Sequence, residues 1–161
     1  MITIRQAYLA DIDRIMPLYE RAKRYMQLSG NPNQWIDGYP ARNDIKADIE
    51  AHHCFVVCDD VEILAAFAYI EGHDPTYDHI DGAWLNDKPY AVVHRLASSG
   101  KRKAIGRLCL QWALDKCGNL RVDTHADNLT MQHILASMGF TYTGIIRCHN
   151  GTPRLAYHLI K

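Results

Sequence analysis

Residues 98–113 read SSGKRKAIGRLCLQWA, and this stretch limits the folds open to the chain more than any other. Ile105, Leu108, Cys109, Trp112 and Ala113 recur at i, i+3, i+4, i+7 and i+8, which is one face of an α-helix. Arg107, Gln111, Asp115 and Lys116 take the other side, and Gly118 stands where the helix should stop. The pattern predicts a helix over residues 101–117. An apolar strand at Tyr90–Ala97 precedes it and another at Leu120–Thr124 follows. Strand, cation-rich turn, helix and strand in succession call for a sheet with helices packed on it.

The cations are misplaced for an ordinary helix. Lys101, Arg102 and Lys103 fall in the expected first turn, Arg107 follows, and no acid appears before Asp115. A first turn exposes unpaired N–H groups and the positive end of the macrodipole, so each cation there costs roughly a few tenths of a kcal/mol. Either the turn is a solvated basic surface, or N–H groups and cations together hold an anion. Ala104 and Gly106 are small enough to let a phosphate approach the backbone. The spacing fits neither a Walker A loop nor a dinucleotide G-x-G-x-x-G.

Composition narrows the partners. A chain of 161 residues suits one domain, residues 1–161, and 48% hydrophobic with 22% charged residues suits a packed core. A formal net charge of zero argues against nucleic acid as the main partner. No apolar run reaches membrane-span length, and Met1-Ile2-Thr3 begins no signal peptide. The five cysteines form no C-x-x-C pair, so free thiols, a reducing cytoplasm and no metal site are expected.

The remaining elements follow from periodicity. Ile2 and Ile4 suggest a first strand. Asp11 can cap a helix with Ile12, Ile15, Met16, Tyr19, Ala22 and Met26 inward, which Pro17 should kink or split. Ile45 and Ile49 mark a short helix. Phe55–Cys58 and Ile63–Ile70 read as strands, the second apolar enough for a sheet centre. Residues 71–89 read as an acidic, aromatic-bearing loop. A helix over 128–138 stops at Gly139. Phe140–Cys148 and Arg154–Lys161 form a hairpin around Asn150-Gly151. The result is an α/β (α+β) domain with a mixed central sheet of about seven strands flanked by helices.

In that order of elements, two motifs resemble the GNAT superfamily of acyl-CoA-dependent N-acyltransferases. HRLASSGKRKAIGRLCLQWAL resembles the family's strand end, [QR]-x-x-G-x-[GA] loop and helix, with Lys101 at the Gln/Arg position, Ala104 at the first Gly and Gly106 at the second. DNLTMQHILASMGF resembles the family's Asn, amphipathic helix and Gly-Phe. The likeness spans nearly the whole chain. It implies a sheet splayed at the cofactor site and acetyl-CoA as cofactor. The segment Lys101, Arg102, Lys103, Ala104, Ile105, Gly106 and Arg107 would hold the pyrophosphate. The backbone of Leu96, Ala97 and Ser98 would bond the pantetheine arm. Asn128 and Met131 would touch the cofactor from the other side, Asn128 serving equally as a helix N-cap.

The implied reaction moves an acetyl group to a primary amine of a small molecule or peptide. It needs a base, donors for the carbonyl oxygen and an outlet for the thiolate. His94, on the strand where the family places its bases, is the first candidate and His125 the rival. The alternative for His94 is a histidine hydrogen-bonded within the sheet. Where the family often has a tyrosine acid, this chain has Leu135. Trp35, Tyr39, Tyr77 and Trp84 lie in the long loops where the family builds its acceptor site, or else simply pack. The loop acids Glu71, Asp74, Asp78 and Asp81 could attract a cationic amine. A non-catalytic acyl-CoA-binding or regulatory module of the same fold is the second reading, an unrelated phosphate-binding domain the third. A homodimer is compatible with either of the first two.

Overall fold

A strand that is apolar at every position is stable only where both of its faces are covered. Ile63–Ile70 is such a run, and in the computed structural model, which describes residues Met1–Lys161, it lies inside one open sheet. The strands are β1 (Thr3–Gln6), β2 (Cys54–Cys58), β3 (Ile63–Glu71), β4 (Asp81–Gly82), β5 (Ala91–Ser98), β6 (Asn119–Thr124), β7 (Thr141–Arg147) and β8 (Pro153–Ile160). Their order is β1-β2-β3-β5-β6-β8-β7-β4. Only β5 and β6 run parallel; the other neighbours are antiparallel.

Two helices cover each face. On the first, Ile15 and Tyr19 of α1 (Ile12–Leu28) and Ile45 and Ile49 of α2 (Arg42–Glu50) pack on Val56, Ala66 and Ala97. On the second, Cys109, Leu110 and Ala113 of α3 (Ile105–Cys117) and Leu135 of α4 (Leu129–Ser137) pack on Val57, Phe67 and Val122. Phe55, Phe67, Tyr69 and Trp112 close that second core as an aromatic cluster with ring centroids 5.0–6.0 Å apart. No helix is long and apolar enough to cross a membrane.

The mixed α/β sheet matches the sequence reading, with eight strands in place of about seven. The added strand, β4, arises inside the segment read as a loop. Gly82 and Gly144 face each other there, and a Cβ on either would collide with the opposite backbone. Glycine alone permits that approach. Pro17 does not split α1, which runs unbroken from Ile12 to Leu28. The residue four before it, Asp13, has a side chain on the solvent side. Its carbonyl, deprived of a helical donor, is therefore within reach of water.

The helix after the basic run also starts later than expected. Residues 101–104 are turn, Ala104 takes the left-handed conformation at φ +62°, and α3 begins at Ile105. Lys101, Arg102 and Lys103 thus precede the helix, and Arg107 falls in its first turn. Leu108 is half exposed, and the inward face is Ile105, Cys109, Leu110, Ala113 and Leu114.

Strict alternation fails in β5. It would place Leu96 with His94 and Arg95 with Val93. Instead the register with β3 shifts between His94 and Ala97, and Arg95 takes φ +51°. This is a β-bulge, with two residues opposing one. Arg95 therefore reaches α2 on the first face, beside His94, while Leu96 turns to the second face against Gly106 of α3.

One buried histidine fastens the long connection before β5. His158 of β8 accepts the Leu85 N–H at Nδ1 (3.1 Å), so its proton is on Nε2, which donates to Asn119 Oδ1 at 2.6 Å. Asn119 in turn bonds Asn86 and the Pro89 carbonyl. Burial, and then the charge of Arg121, pull the His158 pKa down to about 4. An unfolded imidazole titrates near 6.5, so between roughly pH 6.5 and 4 the unfolded chain takes a proton that the native one refuses. Stability should therefore fall as pH drops through that window, by at most about 3 kcal/mol, and level off below it. Urea unfolding across pH 4–7 should show this slope, and His158→Asn should flatten it. An equal slope in both proteins would exclude His158 as its source.

Candidate active site

The gap in the middle of the sheet follows from the bulge. β5 and β6 pair only at Ala91–Leu120 and Val92–Arg121, although the strands run on to Ser98 and Thr124. The bulge is held from three sides. The Tyr19 hydroxyl donates to the Arg95 carbonyl at 2.6 Å. The guanidinium grips both oxygens of Asp48 at 2.7 and 2.8 Å and donates to the Tyr39 hydroxyl at 2.9 Å. Burial works against the Arg95 charge, but Asp48 and Tyr39 outweigh it and push its pKa up. Removing one partner of such a pair costs about 3–5 kcal/mol.

A cavity of about 330 Å³ occupies the gap, and a groove of about 150 Å³ adjoins it along the end of β5. Met26, Leu96, Asn128 and Met131 line both. The larger volume is at the low end for small-molecule sites.

On the cavity wall His94 stands between two carboxylates. Its Nε2 is 3.0 Å from Asp74 Oδ2 and its Nδ1 is 3.6 Å from Asp123 Oδ1. Burial pushes the Asp74 carboxyl up, but His94 and the hydroxyl and N–H of Thr76 outweigh it and hold it at about 2. Asp74 is fixed further by its own N–H, which donates to the Tyr90 hydroxyl at 2.8 Å. Asp123 accepts the Tyr77 hydroxyl at 2.6 Å, and burial raises the Tyr77 pKa so that this donor keeps its proton. His125 lines neither cavity. Its Nδ1 accepts the Asp127 N–H at 2.9 Å, and burial, followed by the charge of Arg154, lowers its pKa.

The residues expected at the cofactor divide into two groups. Leu96, Ala97, Ser98, Gly106, Asn128 and Met131 line the groove. Asn128 is also the N-cap of α4, accepting the Met131 N–H at 3.0 Å, and its amide donates to Gln34 at 2.9 Å. A Cβ on Gly106 would sit 3.5 Å from Ile134 and 3.6 Å from Leu96, an ordinary contact. In the second group Ile105 is buried in the core. Lys101 and Arg102 lean away onto the β2–β3 turn, 2.9 Å from Glu62 and 3.6 Å from Asp59. Arg107 donates to Ser137 at 2.6 Å, and neither it nor Lys103 has a carboxylate partner. Ala104 occupies the left-handed position for which glycine is suited.

Of the four aromatics expected at the acceptor, Trp35 and Tyr39 line the cavity. Tyr77 and Trp84 pack against each other at a tilt of 44° behind His94, centroids 5.0 Å apart, in a small core with Val92 and Ala156. Leu135 is fully buried under α3.

Several cavity and groove residues carried no sequence signal. Asp123 and Arg154 read as ordinary strand positions, although both fall on the His94 face once the β6–β8 register is known. Gln34 gathers Asn128, Thr124 and the His125 N–H on one oxygen. Arg21 of α1 lies across Gly100 and donates to the Ser98 carbonyl at 3.0 Å, with no carboxylate partner. Its i, i+4 neighbours gave only an exposed helix face.

No family sequence model and no curated protein matches the chain. Solved structures do. An acetyltransferase of the GNAT family from Streptococcus agalactiae 2603 is 38% identical, with a TM-score of 0.90 over 99% of this chain and 95% of that one. A GNAT-family acetyltransferase from Listeria monocytogenes 4b F2365 is 18% identical with a TM-score of 0.74, over 99% of this chain and 95% of its own. A Salmonella typhimurium protein solved with its cofactor acetyl-CoA is 17% identical with a TM-score of 0.66, over 99% and 93%. The two more distant likenesses speak to the fold. The first, through its identity and near-complete coverage, places this chain in the GNAT family of acetyltransferases.

Proposed function

We propose that the protein transfers an acetyl group from acetyl-CoA to a primary amine of a small molecule or peptide, by direct attack within a ternary complex. The observation that carries this reading is His94, held between Asp74 and Asp123 on the wall of the cavity where β5 and β6 part.

The groove fits an acyl-CoA. Ala97 and Ser98 pair with Ala66 and Ala65 of β3 on one side and with no strand on the other, so their segment can bond an extended amide chain. Gly106, Lys103 and Arg107, which have no carboxylate partner, and Arg21 beside Gly100 suit a pyrophosphate at the start of α3. Acetyl-CoA supplies the thioester whose carbonyl carbon the amine attacks and whose carbon–sulfur bond breaks.

The chain's residues then handle charge and protons. Asp74 accepts the Nε2–H of His94, which leaves the Nδ1 lone pair directed at the cavity and at Asp123. Asp123 anchors the incoming ammonium. His94 Nδ1 takes its proton, and Asp74 stabilises the resulting imidazolium. The freed amine pair forms the new carbon–nitrogen bond. An N–H of the Leu96–Ala97 edge receives the charge that grows on the carbonyl oxygen. As the carbon–sulfur bond breaks, the second proton lost by the attacking nitrogen passes to the leaving sulfur, with no tyrosine to supply one at position 135, where the side chain is core leucine.

That leucine is the one feature favouring a non-catalytic acyl-CoA-binding module. An imidazole braced between two carboxylates on the wall of a cavity favours catalysis. The unpaired cysteines suit a reducing compartment such as the cytoplasm.

Two experiments test the reading. His94→Ala should lower kcat/KM for amine acetylation by about 10²–10⁴ while leaving acetyl-CoA affinity unchanged, and the acidic limb of the pH–rate profile should disappear. An intact acidic limb would move the base elsewhere. Arg21→Ala should weaken acetyl-CoA binding by about tenfold in calorimetry, the loss expected for one charge-assisted contact. Unchanged affinity in a folded variant would remove Arg21 from the phosphate site.

A further inference from the structure

Arg154, at the start of β8, is a buried cation without a counter-charge. It is 5% exposed, and it lines the cavity. Its Nη1 donates to the Thr152 hydroxyl and the Pro153 carbonyl, both at 2.9 Å, and its Nη2 to the Gln34 carbonyl at 2.9 Å. All three acceptors are neutral. No carboxylate lies within 4.0 Å of it, whereas the cavity's other arginine, Arg95, is clamped by Asp48. The Nε of Arg154 has no hydrogen-bond partner and is not fully buried. A buried guanidinium met only by dipoles is poorly compensated, and its natural complement is a bidentate anion.

The position of Arg154 relative to Asp123 sets what that anion belongs to. In the β6–β8 ladder Asp123 faces Ala156, so Arg154, two residues along β8, projects from the same sheet face. Two residues of strand span about 7 Å. His94 projects from that face on β5. The wall therefore carries a proton acceptor, a carboxylate and a guanidinium on three neighbouring strands. A ligand that satisfies the last two at once has an ammonium and a carboxylate separated by only a few bonds.

We infer that the acceptor is an amino acid, its carboxylate seated on Arg154 and its amine between Asp123 and His94. This rests on the transfer reading for the chemistry but on Arg154 alone for the carboxylate. A peptide amino terminus has no such carboxylate beside its amine, and a polyamine would face an unmatched cation. The charge of Arg154 already reaches His125, whose pKa it helps to lower.

The experiment uses the proteinogenic L-amino acids, with their methyl esters and decarboxylated amines as matched controls. Binding is measured by calorimetry on the full chain loaded with coenzyme A, and thiol release from acetyl-CoA is measured separately. One or more amino acids should bind about 10- to 100-fold tighter than their own ester and amine, as expected for a hydrogen-bonded charge pair. Arg154→Met should abolish that preference and Arg154→Lys should restore part of it, with both variants checked for folding by near-ultraviolet circular dichroism. Esters and amines binding as well as every amino acid, or a preference that survives Arg154→Met, would overturn the inference. Amino acids that bind through Arg154 without thiol release would leave the carboxylate site standing and defeat the transfer reading. Turnover of amines but of no amino acid would do the reverse.

Discussion

The ion pair between Arg95 and Asp48 holds the site open. A regular β5 would continue its parallel ladder with β6, as Ala91 and Val92 begin to do. The bulge at Arg95 stops it, and a bulge with a non-glycine residue at positive φ is strained. Asp48 from α2, Tyr39 from the loop preceding α2 and Tyr19 from α1 together hold it in place. The first-face helices are thus the clamp that keeps two strands apart, and the cavity, the groove and the orientation of His94 all follow from it.

The site's charges are arranged along that one sheet face. His94, Asp123 and Arg154 come from adjacent strands, while Asp74 arrives from a loop fixed by Tyr90, Thr76 and, further along, His158. The strand residues are placed by ladder hydrogen bonds and shift little. The loop residue is placed by side-chain bonds instead, and its carboxylate remains charged because His94 and Thr76 favour that form over the burial that opposes it. Rigid strands for positioning and a tethered loop for the acid partner divide the work between two kinds of backbone.

Most of the architecture was legible in the sequence, because hydrophobic period and turn residues report local geometry. The two motifs with Gly106 and Asn128 located the groove, and the capping role of Asn128 followed from its place before an apolar helix. What was not legible depends on pairings between distant segments. Lys101 and Arg102 read as a phosphate-binding run, yet both lean onto acids of the β2–β3 turn, which only tertiary structure brings near. Alternation misassigned Arg95 and Leu96 because a bulge breaks the period of two on which alternation rests. Asp123 and Arg154 look like routine strand positions until the register of β6 and β8 is set. β4 is too short to show any period.

The short β5–β6 pairing has a mechanical consequence. The half-sheet β1-β2-β3-β5 and the half-sheet β6-β8-β7-β4 share backbone hydrogen bonds only along a seam at Ala91–Leu120 and Val92–Arg121. Each half is a cross-braced plate, whereas the seam is a short hinge at one end of the gap. Flexing about it widens or narrows the space between the plates without breaking a pair inside either one. The width of the site is therefore set by side-chain packing across the gap rather than by backbone pairing, and a chain lying along both inner edges would act on it as a strut.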